Sequence, residues 1–403
     1  MRILIVSQYF WPENFRINDI ALGLKERGHE IIVLTAFPNY PHGKFYEGYE
    51  KKPKVEIWND IKIYRSRLVS RGNGGGIRLF LNYISFALSG VLRAFRIRED
   101  VDSILVFEPS PITVGIPAIV AKYLKKAPMS FWVQDLWPAS LSAAGGMRNK
   151  FVLKFFDLVT RVIYSESRFV LIQSRMFENY ILDQGTPKDK IKYLPNTTED
   201  FYFPKSSNKY NDILPEGFKI FFAGNLGEAQ SLDTFVDAAK EVLNRGALVH
   251  WVIIGDGRYR STLEAKVEKL GLSDYVHFLG KYPPTEMADF FSYADALYVS
   301  LKREYIFSLT IPSKIQSYLA CGKPILASLD GEGAKIICEA NAGYTSPAED
   351  SLGLAENILK LFNLSKENRE LLGNNGLMYF EKEFKREIVL DKIEIVLKID
   401  SVK

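Results

Sequence analysis

Short apolar runs alternate with helical stretches along almost the whole chain, and nothing else restricts the fold as strongly. In the first half the runs are residues 3–7, 30–35, 62–65, 103–107, 129–133 and 169–173. Most are apolar at both odd and even positions, the pattern of strands covered on both faces in a parallel sheet. Helical patterns lie between them at 18–27, 112–124 and 150–165. Leu22 and Leu24 lead to a stop at Gly28, which hands the chain to the run at 30. The second half repeats this, with strand-like runs at 218–223, 249–254, 276–279, 296–300 and 324–328. Helical patterns there fall at 232–243, 261–270, 315–320 and 333–340, with another opened by Pro284-Thr285-Glu286. The alternation predicts two doubly wound, Rossmann-like α/β domains with parallel sheets.

Length agrees, since a single core rarely grows past about 250 residues and the chain has 403. Residues 196–216 carry Pro204, Ser206, Ser207 and Pro215 without periodicity and read as a linker. The expected domains are 1–205 and 206–383, and a mixed-charge helix at 384–403 is expected to cross back to the first.

Composition removes several function classes. With 47% apolar and 25% charged residues, the chain is globular rather than disordered. A net charge of +4 ranks nucleic-acid binding low. Two cysteines, Cys321 and Cys338, exclude a disulfide framework and a four-cysteine zinc site, and suit a reducing compartment. The four histidines (His29, His42, His250, His277) have no metal-site spacing, so no metal is expected. The apolar run at the start is too short for a signal peptide. The longest apolar candidate, 79–92, is interrupted by Asn82, Ser85 and Ser89 and is too short to span a bilayer.

The small net charge conceals an asymmetry. Residues 1–200 hold 28 basic and 20 acidic residues, a net of +8, and 201–403 hold 24 and 28, a net of −4. Within 61–98, eight cations including Arg65, Arg67, Arg71, Arg78, Arg93 and Arg96 occur with no acidic residue. Phe80, Ile84 and Leu92 lie among them, and the glycine-rich 72–76 reads as mobile. One reading is contact with an anionic membrane surface. The other is a core-packing helix with solubilising arginines. The apolar residues are expected in the core and the arginines at the surface.

Open α/β sheets bind ligands at the carboxyl ends of their strands. Four such loops stand out in the second half. The first carries Gly224, Asn225 and Gln230, and the second Gly255, Asp256, Gly257 and Arg258. Glycines let backbone approach a phosphate, although ordinary tight turns look the same. In the third, Ser313 is expected to cap a helix that continues through Ser317 and Tyr318, leaving Lys314 in its first turn. A cation there opposes the helix dipole unless an anion sits nearby. In the fourth, Glu332 suits sugar hydroxyls or simply a helix start. In the first half, Gln134 and Asp135 end a strand between Trp132 and Trp137, and Glu13, Asn14 and Arg16 follow the first strand.

Taken in order, these segments resemble the retaining GT-B glycosyltransferases of family 4. The opening ILIVSQYFWPENFRINDIALGLKERGHEIIVLT is similar to that family's first strand, loop and helix. FFAGNLGEAQSLD, VIIGDG, HFLGKYPPTEM and PSKIQSYLACGKPILAS are similar to its donor-domain blocks. Within the family, PNYP at 38–41, QDLWPAS at 134–140 and SLDGEGAKII at 328–337 look like N-acetyl-L-fucosaminyl transferases of bacterial O-antigen or capsule synthesis.

The resemblance implies a nucleotide sugar, expected to be UDP-linked, held by the second domain. It implies an acceptor held by the first, a polyprenyl-diphosphate-linked saccharide, with chemistry in a cleft and no metal or other cofactor. With the two cysteines and the basic stretch 61–98, the expected location is cytoplasmic, peripheral on the inner face of the cytoplasmic membrane. The chain departs from the family at several places. Asn225 and Gln230 stand where an Arg and a Lys are usual, Leu309 and Ser317 where paired glutamates are, and Gln134 where a histidine is. Lys314 is then the first choice for the diphosphate, with Arg258, Lys302 and Arg303 behind it. Ser317 is left to reach the ribose through its hydroxyl. Asp135 or Gln134 would orient the sugar or acceptor. A GT-B-fold sugar-nucleotide epimerase and a non-catalytic binding protein remain alternatives. A nucleotide-dependent oxidoreductase is disfavoured because no GxGxxG follows the first strand.

Overall fold

A computed structural model of the chain describes residues 1–49, 55–72, 75–141 and 149–401. Asn73 and Gly74 of the glycine-rich stretch lie outside the described residues. Two compact units form, one from Met1–Pro195 with Val389–Lys403, the other from Asn196–Ile388.

The first unit is built on β1 (Arg2–Val6), β2 (Glu30–Ala36), β3 (Val55–Trp58), β4 (Ile61–Ser66), β5 (Ser103–Glu108), β6 (Met129–Val133), β7 (Phe169–Ile172) and β8 (Ile191–Tyr193). Their order is β3-β4-β2-β1-β5-β6-β7-β8. β1 is central, with Leu4 and Ile5 beside Ile32 and Val33 on one edge and Ile104 and Leu105 on the other. All pairings are parallel except β3 with β4. That exception was not read from the sequence. Asn59 and Asp60 both take positive φ, 48° and 55°, as a two-residue hairpin turn requires. Helices α1 (Arg16–Glu26), α2 (Gly76–Ala94), α3 (Gly115–Lys125), α4 (Lys150–Glu166) and α5 (Phe177–Asp183) complete this part of the unit.

α2 is longer than the 79–92 candidate. Among the described residues it is the one helix long and apolar enough, by length and composition, to cross a membrane. Its Tyr83, Phe86, Ala87 and Gly90 are buried, however. Gly90 approaches Pro117 of α3 so closely that an added Cβ would lie 3.1 Å from that ring.

Three of the arginines assigned to a membrane surface are placed elsewhere. Arg65 has no exposed surface. Its guanidinium donates to Glu56 Oε1 at 2.5 Å, to the Ala36 carbonyl at 2.9 Å and to the Trp11 carbonyl at 2.5 Å. A buried cation is tolerated when its donors are satisfied in this way. Arg93 is 6% exposed, and burial pulls its pKa down. Arg71 donates to the Tyr9 hydroxyl at 3.1 Å and lies over the Tyr40 ring. Arg67, Arg78 and Arg96 are exposed.

The second unit carries β9 (Phe218–Ala223), β10 (Val249–Ile254), β11 (Val276–Gly280), β12 (Ala296–Ser300), β13 (Ile325–Ser328) and β14 (Gly343–Ser346). Their order is β11-β10-β9-β12-β13-β14, parallel throughout. Its helices are α6 (Asp233–Asn244), α7 (Arg260–Lys269), α8 (Met287–Ser292), α9 (Tyr305–Leu309), α10 (Ser313–Ala320), α11 (Glu332–Glu339), α12 (Ser351–Phe362) and α13 (Lys366–Glu383). One face of the sheet packs around Phe235, Trp251 and Tyr298, the other around Phe221, Phe290 and Tyr318. Residues 196–216 are irregular but anchored on this unit. Tyr210 stacks on Phe290 with centroids 3.7 Å apart, and Lys205 pairs with Asp289 at 2.8 Å.

The last helix, α14 (Arg386–Ser401), ends the chain on the first unit. Val389, Leu390, Ile393, Val396 and Leu397 follow helical spacing and join the core formed around β1 and β2. Arg27–Asp391 at 2.6 Å and His29–Glu394 at 3.0 Å flank that seam.

Candidate active site

In the second unit the carboxyl ends of β9, β10 and β11 collect the loops, as in other open parallel sheets. Gly224 follows β9 and Gly255 follows β10, each with φ 144°, a conformation that disfavours a Cβ. Space is lacking as well. A Cβ on Gly224 would stand 2.7 Å from Lys314 Cε, and one on Gly255 would stand 1.8 Å from the Gly224 carbonyl oxygen. The two loops are laced together by Leu226 N to Asp256 O at 2.9 Å and Tyr259 N to Leu226 O at 3.0 Å. Bare backbone is therefore presented at both strand ends. Gly255→Ala is expected to cost about 3 kcal/mol or more, from backbone strain plus overlap with Gly224. A lowered Cm in urea would show it.

Two adjoining cavities share the wall Ala223-Gly224-Asn225. One, of about 540 Å³, is also lined by Asp256, Tyr202, Lys281 and Tyr282. The other, of about 280 Å³, is lined by Ser313, Lys314 and Ser317. The larger volume is in the range of small-molecule sites, and the smaller lies just below it.

Lys314 lies in the first turn of α10, with Nζ 5.0 Å from the Phe222 ring centroid. Burial alone pulls its ammonium down to about 8. Among the described residues no carboxylate makes an ion pair with it. Ser313 is not the helix cap that was expected. Pro312 occupies the cap position without a side-chain bond, and Ser313 is the first helical residue. The first-turn amides of α10 therefore have no side-chain cap, and Lys314 sits among them.

Other expected donor residues are placed differently. Ser317 is 7% exposed, and its hydroxyl is shared with Thr198 at 2.9 Å and the Ser313 carbonyl at 3.3 Å. Tyr318 is 1% exposed, and its hydroxyl accepts the Ala223 amide at 3.3 Å, so it braces β9 from beneath. Gln230 accepts the Gly227 amide. Lys302 pairs with Glu228 at 3.4 Å in a separate cavity lined by Asp233, Asp237 and Glu349. Arg303 donates to the Ala348 carbonyl at 2.6 Å. Arg258 is exposed and lines neither of the two adjoining cavities. Glu332 is fully buried in the first turn of α11 and presents no oxygen to a sugar. Sequence reasoning missed Tyr202, Lys281 and Tyr282. The last two follow the carboxyl end of β11, where the rule already applied to β9 and β10 would have found them.

In the first unit β5 ends on Glu108, and Asp135 lies just past β6. Gln134 N donates to the Glu108 carbonyl at 3.1 Å, and Asp135 N approaches Glu108 Oε2 at 3.4 Å. Burial, and then the Asp135 charge, push the Glu108 carboxyl well up. Burial pushes Asp135 to about 6 against hydrogen bonds from Ser140 and Leu136. Burial thus favours the neutral form of Glu108, while Asp135 is mostly ionised at neutral pH. Glu108 was also missed, although an acid ending an apolar strand is a visible signal. The flanking tryptophans are packing residues, Trp132 with 0% and Trp137 with 1% exposure.

Glu13 does not reach outward. It is 1% exposed, and Oε1 accepts the Asn39 and Tyr40 amides, each at 2.7 Å. Burial pushes its carboxyl to about 7. It ties the loop after β1 to the loop after β2. Asn14 is exposed, and Arg16, at the start of α1, is half-buried.

Known proteins share this architecture. Residues 14–197 match a family model described as a glycosyl transferase 4-like domain, and 217–363 match one described as glycosyl transferases group 1. The probable glycosyltransferase WbjE of Pseudomonas aeruginosa is 26% identical over 79% of this chain and 80% of that protein. WcaI of Escherichia coli K12, a putative colanic acid biosynthesis glycosyl transferase, is 25% identical over 80% and 82%. The structure of Anabaena HepE in complex with UDP superposes with a TM-score of 0.72 at 15% identity, covering 99% of this chain and all of that one. With both family models matched in order and two largely parallel α/β sheets formed, the chain is a glycosyltransferase of the GT-B fold, its first domain glycosyl transferase 4-like and its second of group 1.

Proposed function

We propose that this glycosyltransferase moves a sugar, with N-acetyl-L-fucosamine the first to test, from its UDP-linked donor to a polyprenyl-diphosphate-linked saccharide. Transfer retains the anomeric configuration and serves surface polysaccharide synthesis at the inner face of the cytoplasmic membrane. The observation that carries the donor reading is Lys314: an ammonium held against Gly224, among uncapped helix amides, where two cavities meet. That is an anion site, and a diphosphate fits it. The UDP complex of HepE supports the choice of nucleotide.

Breaking the bond from sugar C1 to the diphosphate leaves negative charge on phosphate and positive charge on the sugar, as in glycoside hydrolysis. Lys314 and the α10 amides stabilise the departing charge more than the bound ground state, which is the condition for catalysis. The acceptor oxygen bonds to C1 on the same face, and its proton passes to the leaving phosphate oxygen. Ionised Asp135, beside Gln134, orients the sugar or the acceptor. The positive field comes from the chain itself, so transfer needs no divalent cation or other cofactor.

The test is a panel of sugar nucleotides, UDP-N-acetyl-L-fucosamine included, against a lipid-linked acceptor, with product anomericity read by NMR. UDP release should require the acceptor, persist in EDTA and yield the donor's anomeric configuration. An inverted product refutes retention. UDP release without acceptor, with an epimerised sugar, returns the site to the epimerase reading.

A further inference from the structure

α2 packs one side on the sheet and leaves the other uncovered. Ile77, Leu81, Leu88 and Leu92 recur at four- and seven-residue steps and are 46–82% exposed. α4 repeats this with Phe151, Phe155, Leu158 and Val162, 47–85% exposed. The two stripes join through rings: Phe80 touches Phe156 and Phe156 touches Phe155, with centroids 6.4 and 5.4 Å apart. Single exposed apolar residues are normal, but two adjoining stripes are not.

The unpaired charges on the two helices have one sign. α2 contains no acidic residue. The acids of α4 are paired, Asp157 with Arg161 at 2.8 Å and Glu166 with Lys122 at 2.8 Å. Lys150 and Lys154 on α4, and Arg78 and Arg96 on or beside α2, remain exposed. An apolar face rimmed by cations matches the boundary of an anionic bilayer, where apolar groups enter the acyl layer and cations meet headgroups. A second protein chain would not require that rim to be basic.

We infer that α2 and α4 together form a docking face that lies flat on an anionic phospholipid surface. The inference takes its purpose from the lipid-linked acceptor reading, but its evidence is independent of it. It also replaces the surface expected from the sequence: Arg65, Arg71 and Arg93 are excluded, and α4 enters.

Vesicle sedimentation tests it. The protein should bind vesicles of phosphatidylcholine with phosphatidylglycerol, bind phosphatidylcholine alone weakly, and be released by salt. Lys150→Gln with Lys154→Gln should weaken binding about fivefold per lysine. Leu88→Ser with Phe155→Ser should weaken it at least about tenfold. Both pairs are on exposed positions, so circular dichroism and transfer to a detergent-solubilised acceptor should be unchanged. Absence of binding to anionic vesicles, or equal binding by the variants, overturns the proposal. So does a wild-type dimer that the apolar variants dissolve. If vesicle binding fails while transfer in detergent persists, only the docking face falls. If binding persists and transfer fails, only the enzymatic reading falls.

Discussion

Replacing Lys314 by alanine is expected to lower kcat by about 10²–10³, the loss seen when one preorganised charge-stabilising group is removed from a transition state. Folding should survive. Burial depresses the folded-state pKa of this lysine to about 8, below its unfolded value. The folded chain therefore binds its proton less tightly than the unfolded chain does. The resulting penalty is fully present below pH 8 and fades as pH rises through the unfolded pKa. Removing the group removes the penalty, so the Tm of Lys314→Ala should not fall below that of the wild type at neutral pH. Lys314→Arg should not restore activity, because a Gly224 Cβ would already lie within 3 Å of the lysine's Cε and Nζ, and a guanidinium is larger. Near-normal turnover in Lys314→Ala would remove the leaving-group assignment.

The pH dependence of kcat/KM is expected to be bell-shaped, with limbs near 6 and 8. The lower limb is ionisation of Asp135, which burial pushes to about 6. The upper limb is loss of the Lys314 proton. These are free-enzyme values, and kcat reports the bound state. A bound diphosphate stabilises the ammonium, so the alkaline limb of kcat should move above 8 while that of kcat/KM stays. Asp135→Asn should lower kcat/KM by about 10² and abolish the acid limb. Glu108→Gln should keep that limb, because burial favours the neutral form of Glu108 and the limb is assigned to Asp135. An acid limb that persists in Asp135→Asn would reassign it to another group.

Much of this fold was legible. Doubly apolar runs specify buried parallel strands whatever surrounds them, and eleven of the fourteen described strands fall within two residues of the runs read from the sequence. β3, β8 and β14 are short edge or near-edge strands of three or four residues, and so little chain carries little periodicity. The strand before the second helix, β4, was read one residue short at each end. Gly224 and Gly255 were legible as backbone positions. That they meet each other and Lys314 was not, because contact between loops ninety residues apart is a property of the packed sheet.

The sequence by itself determined the two alternating α/β halves, the charge asymmetry between them and the loops that could meet a phosphate. Each is a local pattern of apolarity, glycine or charge. The tertiary structure alone decided which polar groups were available. It buried Arg65, Glu13 and Glu332, committed Ser317 to Thr198 and Lys302 to Glu228, and left Lys314 against a cavity. Burial and partnership depend on every element packed around a side chain, and no local spacing encodes them.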